Sequence, residues 1–274
     1  MPAIDGRAGL AGLLCAVLLQ AALPGLLLRA GLARSNFRGQ TVPLAYGLLA
    51  VLSGLVMLGA ASMAGASGTA PVAAALTAYG ALGLLDDALG HTGPKGLRGH
   101  LRALVLERRV TTGLVKLAGG LVAGQVIGHA AIHQPWPMGA VDGLILALGA
   151  NAVNLLDLRP GRACAVWLAL FGMLYVTRVI GGTAQLGAAW LAGPAAVMAI
   201  RDSRGQAMMG DTGSNSLGAM LAVLWLAGAP SAGARMAALL CLLAFHVAAE
   251  RWSLSAAIER HPLLRRIDAL TGVR

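Results

Sequence analysis

The stretch GLLDDALG, residues 83 to 90, closes an apolar run in which no charge appears from Gly39 to Leu85, and it closes it with two adjacent carboxylates, Asp86 and Asp87. At roughly 20 residues per bilayer crossing, such a run reads as membrane helices, and the acid pair marks where one of them leaves hydrocarbon. Neighbouring residues on a helix lie about 100° apart, so the two carboxylates cannot share a ligand symmetrically and should differ in role. One is expected to meet substrate or metal while a Lys or Arg orients the other. A solvated helix end is the plain alternative.

The composition extends that reading to the whole chain. Of 274 residues, 57% are hydrophobic and 12% charged, with a mean hydropathy of +0.73. The expected fold is an all-α, polytopic integral membrane helix bundle forming one domain over residues 1–274. Continuous apolar runs, without alternation, argue against a β-barrel. The 38 glycines suit close helix approach in lipid, and a Gly-rich helix face is the expected surface for a homodimer. Cys15, Cys164 and Cys241 each sit in an apolar run and suggest neither a metal spacing nor a disulfide framework. The net charge of +10 is scattered between spans, which fits membrane topology and predicts no nucleic-acid partner.

Charges and Gly, Pro and Ser clusters divide the chain into nine expected spans, near 8–29, 43–65, 70–86, 112–130, 138–155, 163–180, 183–200, 213–229 and 234–252. With the N-terminus outside, all Lys and Arg residues except Arg7, Arg178 and Arg235 fall on the inner side, as the positive-inside rule requires. The C-terminus is then cytoplasmic. Segment 97–110 reads as an interfacial helix.

This orientation gathers the polar stretches on the cytoplasmic face of a cell membrane. In GDTGSNSLG (210–218), Asp211 opens an apolar helix, and Gly213 and Ser214 leave room for backbone amides to face a ligand. A helix N-terminus favours anions, and an aspartate beside it makes sense if a divalent cation lies between carboxylate and phosphate. Asp211 also reads simply as an N-cap. Lys95, in a Gly- and Pro-rich loop after the acid pair, suits a phosphate ligand or a positive-inside residue. In NAVNLLD, Asn151, Asn154 and Asp157 are spaced by three and share a helix face; metal, nucleobase or ribose binding and a helix-to-helix hydrogen-bond cluster are all open.

Together with SNFRGQTVPLAYG after the first span, these motifs stand in the order found in the polyprenyl-phosphate N-acetylhexosaminyl-1-phosphate transferase superfamily, which the chain resembles over most of its length. That superfamily includes the bacterial translocase making the first lipid-linked peptidoglycan precursor. The resemblance implies transfer of a sugar-1-phosphate from a UDP-amino sugar to a polyprenyl phosphate lipid such as undecaprenyl phosphate, with release of UMP. It implies Mg²⁺, with Mn²⁺ as the alternative ion, held by Asp211 and Asn154. By the same resemblance Asp86 would act on the attacking lipid phosphate, Asp87 would support that carboxylate or the metal, and Lys95 would neutralise phosphate charge. Asn151, Asp157, Arg159, Gly213 and Ser214 would contact the donor.

The chain departs from the pattern in two places. LDLRPGRA keeps Asp157 but supplies Arg159 and Arg162 where the family has a second acid, which could redirect recognition of the nucleotide or sugar. The last loop has only His261 in place of a His-rich motif, and no role is transferred to it. His246 reads as a hydrogen-bonded core group. The competing class is a non-catalytic carrier of polyprenyl phosphate; retention of Asp86 and Asp211 favours the enzyme, since a phosphate binder gains from acids only through a metal. An ion-coupled transporter ranks last.

Overall fold

The computed structural model describes residues 4–90, 96–132, 134–177, 189–228 and 230–273. Lys95 and residues 183–188 of the expected span 183–200 lie outside them. Among the described residues the chain is helical throughout except for one small hairpin. Helix α1 (Gly6–Arg29) is followed by strands β1 (Ala33–Ser35) and β2 (Thr41–Pro43), then α2 (Leu48–Met63), α3 (Thr69–Leu89) and α4 (Gly96–Glu107). Next come α5 (Thr112–Val126), prolonged by a π-helical turn (Ile127–Ala131), α6 (Met138–Leu156) and α7 (Arg162–Val176). The last five are α8 (Ala192–Asp202), α9 (Gly210–Ala227), α10 (Ala232–Arg251), α11 (Leu254–Arg260) and α12 (Pro262–Thr271).

Among the described residues four helices, α1, α3, α6 and α10, are long and apolar enough to cross a bilayer, and α2 and α7 are shorter apolar helices. Two expected spans begin or run differently. The one set at 43–65 starts as helix only at Leu48, because Tyr46 and Gly47 give their backbone N–H groups to the carbonyls of Met208 and Met209 and Ala45 takes a positive φ. The described helix within 183–200 is α8, 11 residues long. The antiparallel hairpin, with Arg34 opposite Val42, is an addition to the all-α expectation. Asn36 makes its turn, its Oδ1 accepting from the N–H groups of Arg38 and Gln40 at 2.9 and 3.0 Å.

Helix α9 is the centre of the bundle, packed against α3 and α6 and buried nearly all round from Gly210 to Leu226. A helix so enclosed must satisfy its polar side chains internally. Ser216 Oγ donates to the Thr212 carbonyl at 2.7 Å and Asn215 Nδ2 to the Asp211 carbonyl at 2.8 Å. Its backbone comes so close to α6 that a Cβ on Gly218 would collide with the Gly149 carbonyl. Trp167 of α7 donates to the Leu217 carbonyl at 2.8 Å.

At the end of α6 remote from Asn154, Asp142 is fully buried and forms an ion pair with Arg235 of α10 at 3.0 Å. Arg235 thus serves as an internal partner and is itself buried. Removing one member leaves an uncompensated charge in the bundle. Arg235→Met is expected to destabilise the protein by about 3–5 kcal/mol, whereas Asp142→Leu combined with Arg235→Met should recover most of that loss. Thermal unfolding in detergent checks this, and equal loss in the single and double variants would contradict it.

Candidate active site

Four helices bring one group each, or two, to a single point. Lys116, on the second turn of α5, reaches the Asp86 carboxylate of α3 at 3.4 Å and also pairs with the Asp211 carboxylate of α9. With the Asn154 amide of α6 oriented to suit its neighbours, its oxygen accepts from Lys116 Nζ at 3.3 Å and its nitrogen donates to Asp211 Oδ1 and Ser214 Oγ, both at 3.0 Å. Asp86, Lys116 and Asp211 keep about a fifth of their side-chain surface open, so the cluster is partly enclosed and still reachable.

Asp87 does something different from its neighbour. It is 5% exposed, and its carboxylate accepts from the N–H groups of Asp211 and Thr212 at 3.0 and 2.9 Å and from the Thr212 hydroxyl at 2.6 Å. A carboxylate at a helix N-terminus satisfies otherwise orphaned N–H groups and complements the helix dipole. The sequence permits this approach at two glycines. Gly210 takes φ +69 and a Cβ there would lie 2.6 Å from Asp87 Oδ2, while a Cβ on Gly83, one turn before Asp87, would run into the Asp211 backbone. The expected Lys or Arg beside one of the acids is Lys116, and it contacts Asp86; Asp87 is oriented by backbone.

The remaining predicted residues are distributed around this centre. Asn154 and Ser214 belong to it. Gly213 packs α9 against Gly47 and Met209, where a Cβ would clash. Asn151 is half-buried one turn before Asn154. Asp157 is the C-cap of α6, directly after Leu156, with φ −77 still helical, and its carboxyl is close enough to Asp211 and Asp87 to feel their charges. Arg159 pairs with Glu259 of α11. His246 Nδ1 is hydrogen-bonded to the Leu242 carbonyl at 2.8 Å.

Sequence reasoning missed two residues. Lys116 was counted only as a topological charge, although it is the single ionisable group in α5. Asp202, at the end of α8, is 3% exposed and accepts from the N–H groups of Gly161 and Met209 at 2.8 and 3.1 Å, tying the loop after α6 to the loop before α9. Burial holds its carboxyl above the usual range, opposed by those two N–H groups.

The centre is built from hard oxygen donors around a cation. Two carboxylates and an amide oxygen converge on one ammonium, so negative charge exceeds positive and a cation is already stabilised there. Among the described residues no group of three or more His, Cys, Asp or Glu side chains could by itself hold a metal ion. Carboxylate and amide oxygens are the donor types that Mg²⁺ accepts alongside water and substrate phosphates.

Burial, then the nearby charges of Asp202, Asp211 and Asp87, holds the Asp157 carboxyl well above the ordinary carboxylate range. A carboxyl raised in the folded state costs stability once pH passes its unfolded value of about 3.9, and the cost grows until the native group ionises. Asp157→Asn is therefore expected to raise the melting temperature near neutral pH and to leave it unchanged near pH ~3.5, where the group is protonated in both states. A stabilisation that does not change with pH would contradict this assignment.

Comparison with known protein families gives one match. The profile described as glycosyl transferase family 4 matches residues 69–229, from the start of α3 to just past the end of α9. No characterised protein matches the chain. The matched region takes in Asp86, Asp87, Lys116, Asn154 and Asp211, and it covers more than half of the sequence. The chain belongs to glycosyl transferase family 4.

Proposed function

We propose that the protein transfers an N-acetylhexosamine-1-phosphate from a UDP-sugar to a polyprenyl phosphate such as undecaprenyl phosphate, releasing UMP, in the making of a cell-wall or surface-glycan precursor. The observation that carries this is the convergence of Asp86, Asp211 and Asn154, from three separate helices, on Lys116. Family membership supports sugar-phosphate transfer in general; the donor, the acceptor and the metal are our reading.

An oxygen of the lipid phosphate bonds to the sugar-bearing phosphorus, the bond from that phosphorus to the bridging oxygen breaks, and UMP leaves with the electron pair. Such a transfer asks mainly for alignment and charge stabilisation. Mg²⁺, or Mn²⁺, when bound supplies charge neutralisation on the diphosphate. Asp211 and the Asn154 amide oxygen would hold it. Lys116 neutralises phosphate oxygens, exchanging its carboxylate partners for them, and Lys95, outside the described residues, would add charge as the family resemblance implies. Asp86 orients the lipid phosphate. With a second pKa of about 6, that phosphate is largely dianionic at neutral pH and needs no strong base. Asp87 keeps the first turn of α9, and with it Asp211, in place.

In this reading the polar loops face the cytoplasm from a multi-pass plasma-membrane bundle of about nine spans with the N-terminus outside, as the distribution of Lys and Arg supports. Purified protein with undecaprenyl phosphate, Mg²⁺ and a panel of UDP-sugars is expected to release UMP with at least one UDP-N-acetylhexosamine. Asp211→Ala and Lys116→Met should each lower that rate by about 100-fold or more, as loss of a transition-state charge stabiliser does. Release that survives Asp211→Ala would remove the metal assignment. Absence of release with every sugar, alongside tight metal-independent binding of the lipid, would identify a carrier.

A further inference from the structure

The two C-terminal helices, α11 and α12, are latched to the loop between α6 and α7 on one side and leave an apolar face bare on another. The latch is Arg162, 2% exposed, whose Nε donates to Asp268 Oδ1 at 2.6 Å and whose Nη2 donates to Oδ2 at 3.1 Å. Its Nη1 donates to Ser255 Oγ at 3.0 Å. Arg159 pairs with Glu259, and the Val273 N–H donates to the Ser203 carbonyl at 2.8 Å. Gly161, at φ +76, lies so near the Thr271 carbonyl that any side chain there would collide with it. The clamped loop is the one that Asp202 ties to the segment leading into Gly210 and Asp211.

The opposite surface has a different character. Leu263, Ile267 and Leu270, spaced i, i+4 and i+7, are 60, 52 and 87% exposed, and Trp252 just before α11 is 65% exposed. Arg260 and Arg266 are exposed beside this stripe, whereas the acids of α11 and α12 are turned to the protein: Asp268 into Arg162 and Glu259 onto Arg159. At 10 residues α12 is about 15 Å long, half of what a crossing needs. A short helix with an apolar stripe and a basic flank lies in the plane of a membrane surface.

We propose that α11 and α12 rest in the headgroup region of an anionic leaflet on the same side as the acid–lysine centre. Leu263, Ile267 and Leu270 enter the acyl boundary, and Arg260 and Arg266 meet lipid phosphates. Through the Arg162–Asp268 pair, headgroup contact then bears on the loop from Leu158 to Gly161. A second copy of the chain fits this face less well, because pairing the stripe with itself sets arginine against arginine. The inference rests on the chain being a membrane protein and is independent of the reaction.

The test is nitroxide labelling of the full chain at Ile267→Cys and Leu270→Cys, with Cys15 and Cys241 replaced by Ala, in nanodiscs of phosphatidylcholine alone or with roughly one-third phosphatidylglycerol. Both labels are expected to favour oxygen over a water-soluble nickel chelate several-fold, more so in the anionic discs, and Arg260→Glu with Arg266→Glu should abolish that lipid dependence. Asp268→Asn should increase label mobility. Labels open to nickel in both lipids would overturn the proposal, as would spin–spin broadening that places the stripe against a second copy. Unchanged mobility in Asp268→Asn would remove the link to the site loop.

Discussion

The arrangement depends on one buried carboxylate. Asp87, at the end of α3, takes up the first N–H groups of α9 and the Thr212 hydroxyl, and so fixes where α9 begins relative to α3. Charge-assisted hydrogen bonds of this kind, shielded from water, are strong and directional. Once they are made, Asp211 has one place to be, next to Asp86 and within reach of Lys116. The glycines at 83 and 210 are the condition for it, since a side chain at either would hold the helices apart.

Two neighbouring acids thus divide between an open setting and an enclosed one. Asp86 faces the opening with a cation against it, and Asp87 faces backbone. The same division recurs further along the chain. Asp211 belongs to the open centre, while Asp202, nine residues earlier in sequence, is enclosed and holds two loops together. Buried carboxylates that satisfy N–H groups order the frame, and the partly exposed ones stay open to solvent.

Much of this was legible in the sequence, and the limits have physical causes. Long charge-free runs predict membrane helices, and polar residues at their ends predict that those ends meet, because isolated polar groups there need partners. Asp86, Asn154 and Asp211 meet for that reason. Lys116 was passed over because a lysine near a helix end looks the same whether it serves topology or a site, and only packing separates the two. Asp142 and Arg235 lie 93 positions apart, so nothing local could pair them. The hairpin around Asn36 follows from Gly31, Gly39 and the Asn turn, signals that mark a turn in the sequence without naming the strands it joins.

Asp211 and its partners are proposed to form a grip for a divalent cation and a diphosphate. Electron paramagnetic resonance of Mn²⁺ added to the purified protein, with and without UDP-N-acetylhexosamine, examines that grip without requiring turnover. A single Mn²⁺ bound tightly only when the nucleotide sugar is present, and lost in Asp211→Asn, is the predicted result. Mn²⁺ held equally well by wild type and Asp211→Asn, or no nucleotide-dependent binding at all, would contradict the account.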